Sequence, residues 1–285
     1  MSSVDPHSPL LVLGATSLIG RRLLPRLQAQ GRPFLALSRR APPLGTGGAW
    51  LQADLTALPT TPPAAEAVSL SPIWLLPPAL PALAAAGVRR LVAVSSTSRF
   101  TKAASTDPAE RAVAARLAEG EAAMAGFCHA HDITWTVLRP TLIYAEGEDA
   151  NVSRLAALVR RWGVLPLYGP GEGRRQPVHA DDLAAGVLAA LASPSAANRA
   201  FDLPGGETLS YRAMAKRVFE ALGRRPRVLS LPPALWRAAF ALAAPFLPGA
   251  GAAMGARMAE DLVFDGEPAR AALGWTPRPF RPVFS

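Results

Sequence analysis

At 285 residues the chain is long enough for one large α/β domain or for one domain with a smaller lobe, since a domain commonly takes about 150 residues. Half of the residues are hydrophobic, 18% are charged and the mean hydropathy is +0.18, which excludes a disordered chain. Thirty basic against twenty-one acidic side chains leave +9, nearly all of it arginine in scattered doublets; a nucleic-acid footprint would need one basic stripe with interleaved aromatics, so a phosphate-bearing small molecule is the expected anionic partner.

Residues 1–9 are expected to form a disordered tail, without a basic start or an apolar run, and Cys128 is the single cysteine, so a reducing cytoplasm is the expected location. From Leu10 onward, short apolar runs alternate with longer amphipathic stretches, the pattern of βα units stacking into a parallel sheet. Strands are expected at Leu10–Leu13, Phe34–Leu37, Ala49–Gln52, Ala67–Leu70, Leu91–Val94 and Thr134–Leu138, with helices at Leu18–Gln30, Ile73–Ala86 and Pro108–His131. Pro25 predicts a kink in the first helix, and the Gly, Pro and Thr of 45–48 and 58–65 predict short loops. The fold class is therefore α/β, a doubly wound parallel sheet of the Rossmann type over residues 10–145, whose ligands bind at the carboxyl ends of the strands.

Beyond Pro140 the pattern loosens into a mixed lobe over 146–285, some of whose elements return to the sheet, with helices expected at Asn151–Trp162, Asp181–Ala192, Leu209–Leu222 and Pro233–Phe246. Nineteen residues from Ala238 to Ala256 carry no formal charge. Their prolines and glycines argue against one unbroken spanning helix, leaving a buried or partner-facing hairpin or an interfacial membrane contact through 231–258. Such a contact would make the protein peripheral to the inner face of a membrane.

LLVLGATSLIG, Leu10 to Gly20, places glycines directly after an apolar strand and before a helix, the context that a dinucleotide fingerprint requires. Gly14 would allow the tight turn and Gly20 the close packing of helix on sheet, while the free amides of the helix start, over Thr16, Ser17, Leu18 and Ile19, face a pyrophosphate. These residues resemble the extended and atypical short-chain dehydrogenase/reductases, the NAD(P)-dependent epimerase/dehydratases, whose fingerprint is GxxGxxG, with Ser17 standing at the middle glycine. Ser38, Arg39 and Arg40 stand after the second strand, where a carboxylate would bind the ribose of NAD; two guanidinium groups there favour NADP, with NAD the weaker expectation. Asp54, with Leu55 beside it, resembles the family's adenine contact; the alternative is a turn aspartate.

VSSTS, Val94 to Ser98, resembles the family's hydroxyl run, which implies that Thr97 with Ser96 orients the reacting oxygen; such hydroxyls also satisfy backbone groups. The family's Tyr-x-x-x-Lys pair is missing: aligned on Glu119 and Glu121, its positions hold Val113 and Leu117. The resemblance resumes at Leu138-Arg139-Pro140 with Ile143 and Tyr144, implying that Pro140 and Ile143 line a nicotinamide pocket and that Tyr144 donates a proton or packs. RRQPVHADD, Arg174 to Asp182, places Arg175 where nucleotide-sugar epimerases grip a diphosphate, with Asn151 as a second substrate candidate. His179 and Asp182 lack a third ligand at metal spacing, so no metal is expected.

The resemblance implies an NAD(P)-binding oxidoreductase or epimerase acting on a nucleotide-sugar or similar small anionic substrate. Its alternative is a catalytically silent NADP-binding accessory, assembly or redox-sensing protein, since the family includes the Rossmann-fold accessory subunit of respiratory complex I. A homo-oligomer is compatible with either.

Overall fold

A computed structural model describes residues 8–40, 47–236, 238, 255 and 257–284. In chain order the strands are β1 (Leu10–Leu13), β2 (Phe34–Ser38), β3 (Ala49–Gln52), β4 (Glu66–Ser69), β5 (Arg90–Val94), β6 (Thr134–Pro140), β7 (Ile143–Tyr144), β8 (Leu165–Tyr168), β9 (Arg174–Arg175), β10 (Val178–His179), β11 (Arg199–Leu203), β12 (Leu209–Ser210) and β13 (Val228–Leu231). The helices are α1 (Gly20–Ala29), α2 (Leu80–Ala85), α3 (Ser98–Thr101), α4 (Pro108–Ala130), α5 (Val152–Trp162), α6 (Ala180–Ala192), α7 (Tyr211–Ala221) and α8 (Glu267–Leu273).

Seven strands form one parallel sheet in the order β11-β6-β5-β4-β1-β2-β3. The winding reverses between β1 and β4, which opens a crevice at the carboxyl end of β1. β1 and β2 are buried along their whole length because helices cover both faces, so they read as continuous apolar runs; β3, at the edge, is buried only in part. One face packs Val12, Val92, Leu138 and Phe201 beneath Leu23 and Leu27 of α1, Leu183 and Val187 of α6, and Leu273 of α8. The other packs Leu11, Leu37, Leu91 and Val137 beneath Leu83 of α2 and Leu117, Met124 and Cys128 of α4.

The seventh strand, Arg199–Leu203, was not among the six expected, and it pairs with β6 so that the sheet draws on both halves of the chain. The helix expected over Ile73–Ala86 is instead two 3-10 turns, Ile73–Leu75 and Pro77–Ala79, followed by the short α2, because Pro77, Pro78 and Pro81 interrupt the amide ladder. α1 begins two residues later than expected and runs through Pro25, which lies exposed on the solvent face, where water reaches the carbonyl it orphans. The stretch expected as a helix from Leu209 divides: Leu209–Ser210 pairs with β9, and Ser210 then caps α7 by accepting from the Ala213 amide at 3.1 Å. α6 starts one residue before Asp181 because His179 Nδ1 accepts the Asp181 amide at 3.1 Å.

The lobe has its own core, in which Val152, Leu155 and Val159 of α5 meet Met214 and Phe219 of α7, with Trp236, Met258 and Phe280. Pro233–Trp236 begins a helical turn, as expected, but the rest of the helix expected to Phe246 and most of the uncharged run fall outside the described residues. No helix among the described residues is long and apolar enough to cross a membrane. The chain end returns to the sheet domain: Trp275 donates to the Pro204 carbonyl at 3.0 Å, and Arg278 pairs with Asp181 at 2.7 Å and Asp182 at 2.8 Å. Cys128 is buried, and burial pushes its thiol up to about 11, which leaves it an inert core residue near neutral pH.

Candidate active site

The turn leaving β1 is fixed by three amides. Gly14 and Ala15 both donate to the Leu37 carbonyl, at 3.0 and 3.1 Å, and Ser17 donates to the Gly14 carbonyl at 2.9 Å. Gly14 has φ +75°, and a Cβ there would fall 2.5 Å from Ser71 Oγ and 2.8 Å from the Ser71 amide nitrogen. A Cβ on Gly20 would fall 2.3 Å from the Ala15 carbonyl oxygen, so space requires glycine at both positions and conformation requires it at Gly14 as well. Ser17 solves its own problem: its Oγ accepts the Gly20 amide at 3.1 Å, covering one donor of the helix start, and as a hydroxyl it keeps a proton to give. Leu18 is half-buried and Ile19 is buried in the core beneath α1, so of these two the backbone is the part available to a ligand.

This turn opens onto a cleft of about 210 Å³ whose walls include Gly14, Thr16, Ser17, Ser38, Arg39, Arg40, Asp54 and Leu55. Thr16 Oγ1 and Ser38 Oγ lie 3.0 Å apart across it, and Ser38 Oγ also accepts the Arg40 amide at 3.1 Å, which shapes the bend after β2. Arg39 and Arg40 are exposed at the rim, with the Arg39 carbonyl held by Gln52 at 3.1 Å. Asp54 Oδ1 accepts both the amide and the hydroxyl of Thr56 at 2.9 Å; these bonds, the amide's first, hold its carboxyl below the usual range, and the Arg39 charge acts in the same direction. The helix-start amides of Thr16, Leu18 and Ile19, the glycine turn and the cationic rim together fit a dinucleotide.

At the ends of β5 and β6 the hydroxyl run is already engaged. Ser95 donates to Glu121 Oε1 at 2.6 Å, Ser96 Oγ accepts the Ser98 amide at 3.1 Å, and the buried Thr97 donates to the Pro140 carbonyl at 3.1 Å. Tyr144 is 1% exposed, wedged edge-on between His179 and Phe280 with ring centroids at 5.0 Å, and burial, then the Glu146 charge, pushes its phenol up to about 12. Ile143 is half-buried, and its carbonyl accepts from Asn151 Nδ2 at 3.1 Å. Arg175 is buried, and its terminal nitrogens donate to the carbonyls of Arg174 at 2.8 Å, Glu260 at 2.7 Å and Arg257. His179, besides capping α6, pairs through Nε2 with Glu146 at 3.1 Å.

Two clusters had no functional reading in the sequence. Glu121, served there only as an alignment mark, is buried and receives Arg139 Nη2 at 2.6 Å, Arg139 Nε at 3.1 Å, Arg99 and Ser95, so one carboxylate ties α3, α4 and the ends of β5 and β6 together. Its signal was a carboxylate in the stripe Leu117, Glu121, Met124, Cys128, all of which are buried. Val113 and Leu117, two turns and one turn before Glu121 on the same stripe, pack in the sheet-facing core. The second cluster is Glu110 with Ser105 at 2.7 Å, Lys102 at 4.0 Å and Arg257; burial, then the Arg257 charge, lowers the lysine pKa. Arg116 lies over the Trp74 ring at 4.4 Å and serves packing.

The NAD dependent epimerase/dehydratase family model matches residues 78–203. The chain is similar to (4-alkanoyl-5-oxo-2,5-dihydrofuran-3-yl)methyl phosphate reductase of Streptomyces griseus, with 31% identity over 226 residues that cover 75% of this chain and 74% of that protein. It is also similar to NADH dehydrogenase (ubiquinone) 1 alpha subcomplex subunit 9, mitochondrial, of Arabidopsis thaliana, with 29% identity over 147 residues, 51% of this chain and 34% of that protein; it thus spans about a third of that relative's length. Among solved structures, MoeE5 in complex with UDP-glucose and NAD superposes with a TM-score of 0.74 at 20% identity, over 96% of this chain and 94% of the other.

Proposed function

Because the chain belongs to the NAD dependent epimerase/dehydratase family, we propose that it is an NADPH-dependent reductase of a small, anionic, electron-poor acceptor. The observation that carries the proposal is the conjunction of a cationic rim after β2, Ser38 with Arg39 and Arg40, and an apolar stripe, Val113 and Leu117, where a proton-moving pair would stand. NADPH, when bound, supplies a hydride. The turn at Gly14, the amides of Thr16, Leu18 and Ile19 and the Ser17 hydroxyl hold the diphosphate, Ser38 and Arg39 the additional phosphate, and Asp54 and Leu55 the adenine side. Pro140 and Ile143 shape the nicotinamide end, Ser96, whose hydroxyl keeps its proton, orients the acceptor oxygen, and Thr97, which donates to the Pro140 carbonyl, sets the position of that wall.

Without a tyrosine phenolate, a base able to take a proton from an alcohol is lacking on the stripe, and its loss forfeits about 10²- to 10⁴-fold in rate. A reaction that begins with hydride delivery to an already activated acceptor, its proton arriving from water, loses least. Tyr144, whose phenol is inside the core, is a packing residue in this reading. Arg175 spends its guanidinium on three carbonyls, so the anionic class rests on the +9 charge and on the phosphate in the name of the Streptomyces relative.

Fluorescence titration tests the coenzyme. NADPH is expected to bind more tightly than NADH, and Arg39→Glu to weaken NADPH by about 10- to 100-fold, the worth of a charge-assisted bond, with NADH little changed. Equal affinities unaltered by the substitution would remove the NADP assignment. Turnover with phosphorylated conjugated carbonyl compounds tests the reaction: Thr97→Val is expected to lower kcat by about tenfold or more while the coenzyme Kd stays constant.

A second reading is favoured by the same apolar stripe, namely an NADP-binding accessory protein. Tight NADPH binding with no turnover on any activated acceptor would select it.

A further inference from the structure

The lobe carries a surface that the coenzyme reading does not use. The hydrogen bonds of Arg224 Nη1 to the Val159 and Arg160 carbonyls, at 2.7 and 3.1 Å, bring the segment after α7 against the end of α5. The Leu165 amide then donates to the Arg227 carbonyl at 2.9 Å, and β13 continues alongside β8. Arg160, Arg161, Arg224, Arg225 and Arg227 are thereby gathered, all exposed, at the leading end of this two-stranded ribbon. At the same end stand two large apolar side chains in water, Trp162 at 43% exposed and Leu229 at 53%, while Leu235, past the other end of β13, is 58% exposed. Among the described residues β13 pairs with β8 alone, so its outer edge is open.

The two segments that form this surface carry charge of one sign. Between Glu220 and Glu260 the sequence has no acidic residue and five arginines, and between Asp149 and Glu172 it has none either. In the sequence, the nineteen uncharged residues from Ala238 to Ala256 follow soon after.

We infer that this face, Arg160 to Trp162 with Arg224 to Leu229, docks on the surface of an anionic phospholipid bilayer. Guanidinium groups meet lipid phosphates, and an indole and a leucine enter the headgroup boundary, the arrangement by which interfacial contacts combine charge with apolar burial. An acidic protein would account for the arginines but not for a tryptophan and a leucine interspersed with them. A nucleic acid would leave Leu229 and Leu235 without a partner. The inference is independent of the coenzyme reading, because none of these residues lines the cleft after β1.

The test is co-sedimentation of the full chain with vesicles of phosphatidylglycerol mixed with phosphatidylcholine, against phosphatidylcholine alone and against a short RNA duplex. Binding to the anionic vesicles that weakens with added salt is expected, with little on neutral ones. Replacing Arg161, Arg225 and Arg227 by serine is expected to weaken that binding by about fivefold for each arginine, roughly a hundredfold together, and Leu229→Asp to weaken it at unchanged salt dependence. Arg224 is left in place because it holds α5, and an unchanged melting temperature shows that each variant is folded. Equal binding to neutral vesicles, wild-type affinity in the triple variant, or RNA binding that matches the anionic vesicles and ignores Leu229→Asp would each overturn the inference.

Discussion

Glu121→Ala is expected to destabilise the protein by about 3–5 kcal/mol, the cost of breaking a buried ion pair by removing one partner. The carboxylate is 5% exposed and serves Arg139, Arg99 and Ser95 at once, so its removal leaves two half-buried guanidinium groups, those of Arg139 and Arg99, without their shared acceptor. Asp202, 3.7 Å from Arg139 Nη1, is too far to take over the bonds. Urea denaturation reads the loss as a lower midpoint with unchanged slope. Glu121→Gln, which still accepts from Ser95, is expected to lose less. A change within about 0.5 kcal/mol, the range of an ordinary surface substitution, would mean that the cluster is solvated in solution.

The same group sets a pH dependence. Burial alone would raise the Glu121 carboxyl, but hydrogen bonds from Arg139 and Ser95 and the charges of Arg139 and Arg99 outweigh it and hold the group below 4.5. A carboxyl whose pKa is lower in the folded than in the unfolded chain contributes its stability fully above the unfolded value. That contribution is lost as pH falls from 4.5 through the folded value. The wild-type protein should therefore lose stability in that acid window more steeply than Glu121→Gln does. The consequence for function is local: Arg99 follows Thr97 by two residues, and Arg139 precedes Pro140, so loosening the cluster frees both walls around the Thr97 hydroxyl.

What could be read in advance and what could not divides by range. β1 and β2 were legible because a strand buried on both faces has to be an unbroken apolar run, and the turn between β1 and α1 because its glycines stand directly between that run and a helix, although the atoms that exclude a Cβ at Gly14 come from Leu70 and Ser71 after β4. β11 was missed because Arg199 and Asp202 interrupt its apolar residues, and only its pairing with β6 makes it a strand. The helix read over 73–86 followed apolar spacing and gave too little weight to three prolines. At the site, the rim of Ser38 and Arg39 could be located from the end of β2. The surroundings of Arg175 and Tyr144 could not, because the carbonyls of Arg257 and Glu260 and the ring of Phe280 reach them from the far end of the chain. Local patterns carry no record of such partners.

Gly14→Ala is expected to abolish coenzyme binding, lowering the affinity for NADPH and NADH together by about a hundredfold or more, since the diphosphate cradle common to both is what moves. An L side chain at φ +75° costs about 1–2 kcal/mol by itself. The added Cβ also meets backbone: the Ser71 nitrogen at 2.8 Å and the Leu70 carbonyl carbon at 3.0 Å belong to the chain leaving β4 and cannot swing away as a side-chain tip could. The turn must shift instead, and with it the Gly14 and Ala15 amides that grip the Leu37 carbonyl one residue before Ser38. The two halves of the site, the helix-start amides and the cationic rim, are therefore displaced by one substitution. This outcome differs in kind from Arg39→Glu, which changes the ratio of the two affinities; Gly14→Ala lowers both and leaves the ratio as it was. Ser17→Gly supplies the internal control: it removes the bond to the Gly20 amide, at a cost of a few tenths of a kcal/mol, but adds no atom to the cradle, so binding should survive it. Calorimetry with both coenzymes on the three variants separates these effects, and undiminished NADPH binding by Gly14→Ala would place the coenzyme elsewhere than at the end of β1.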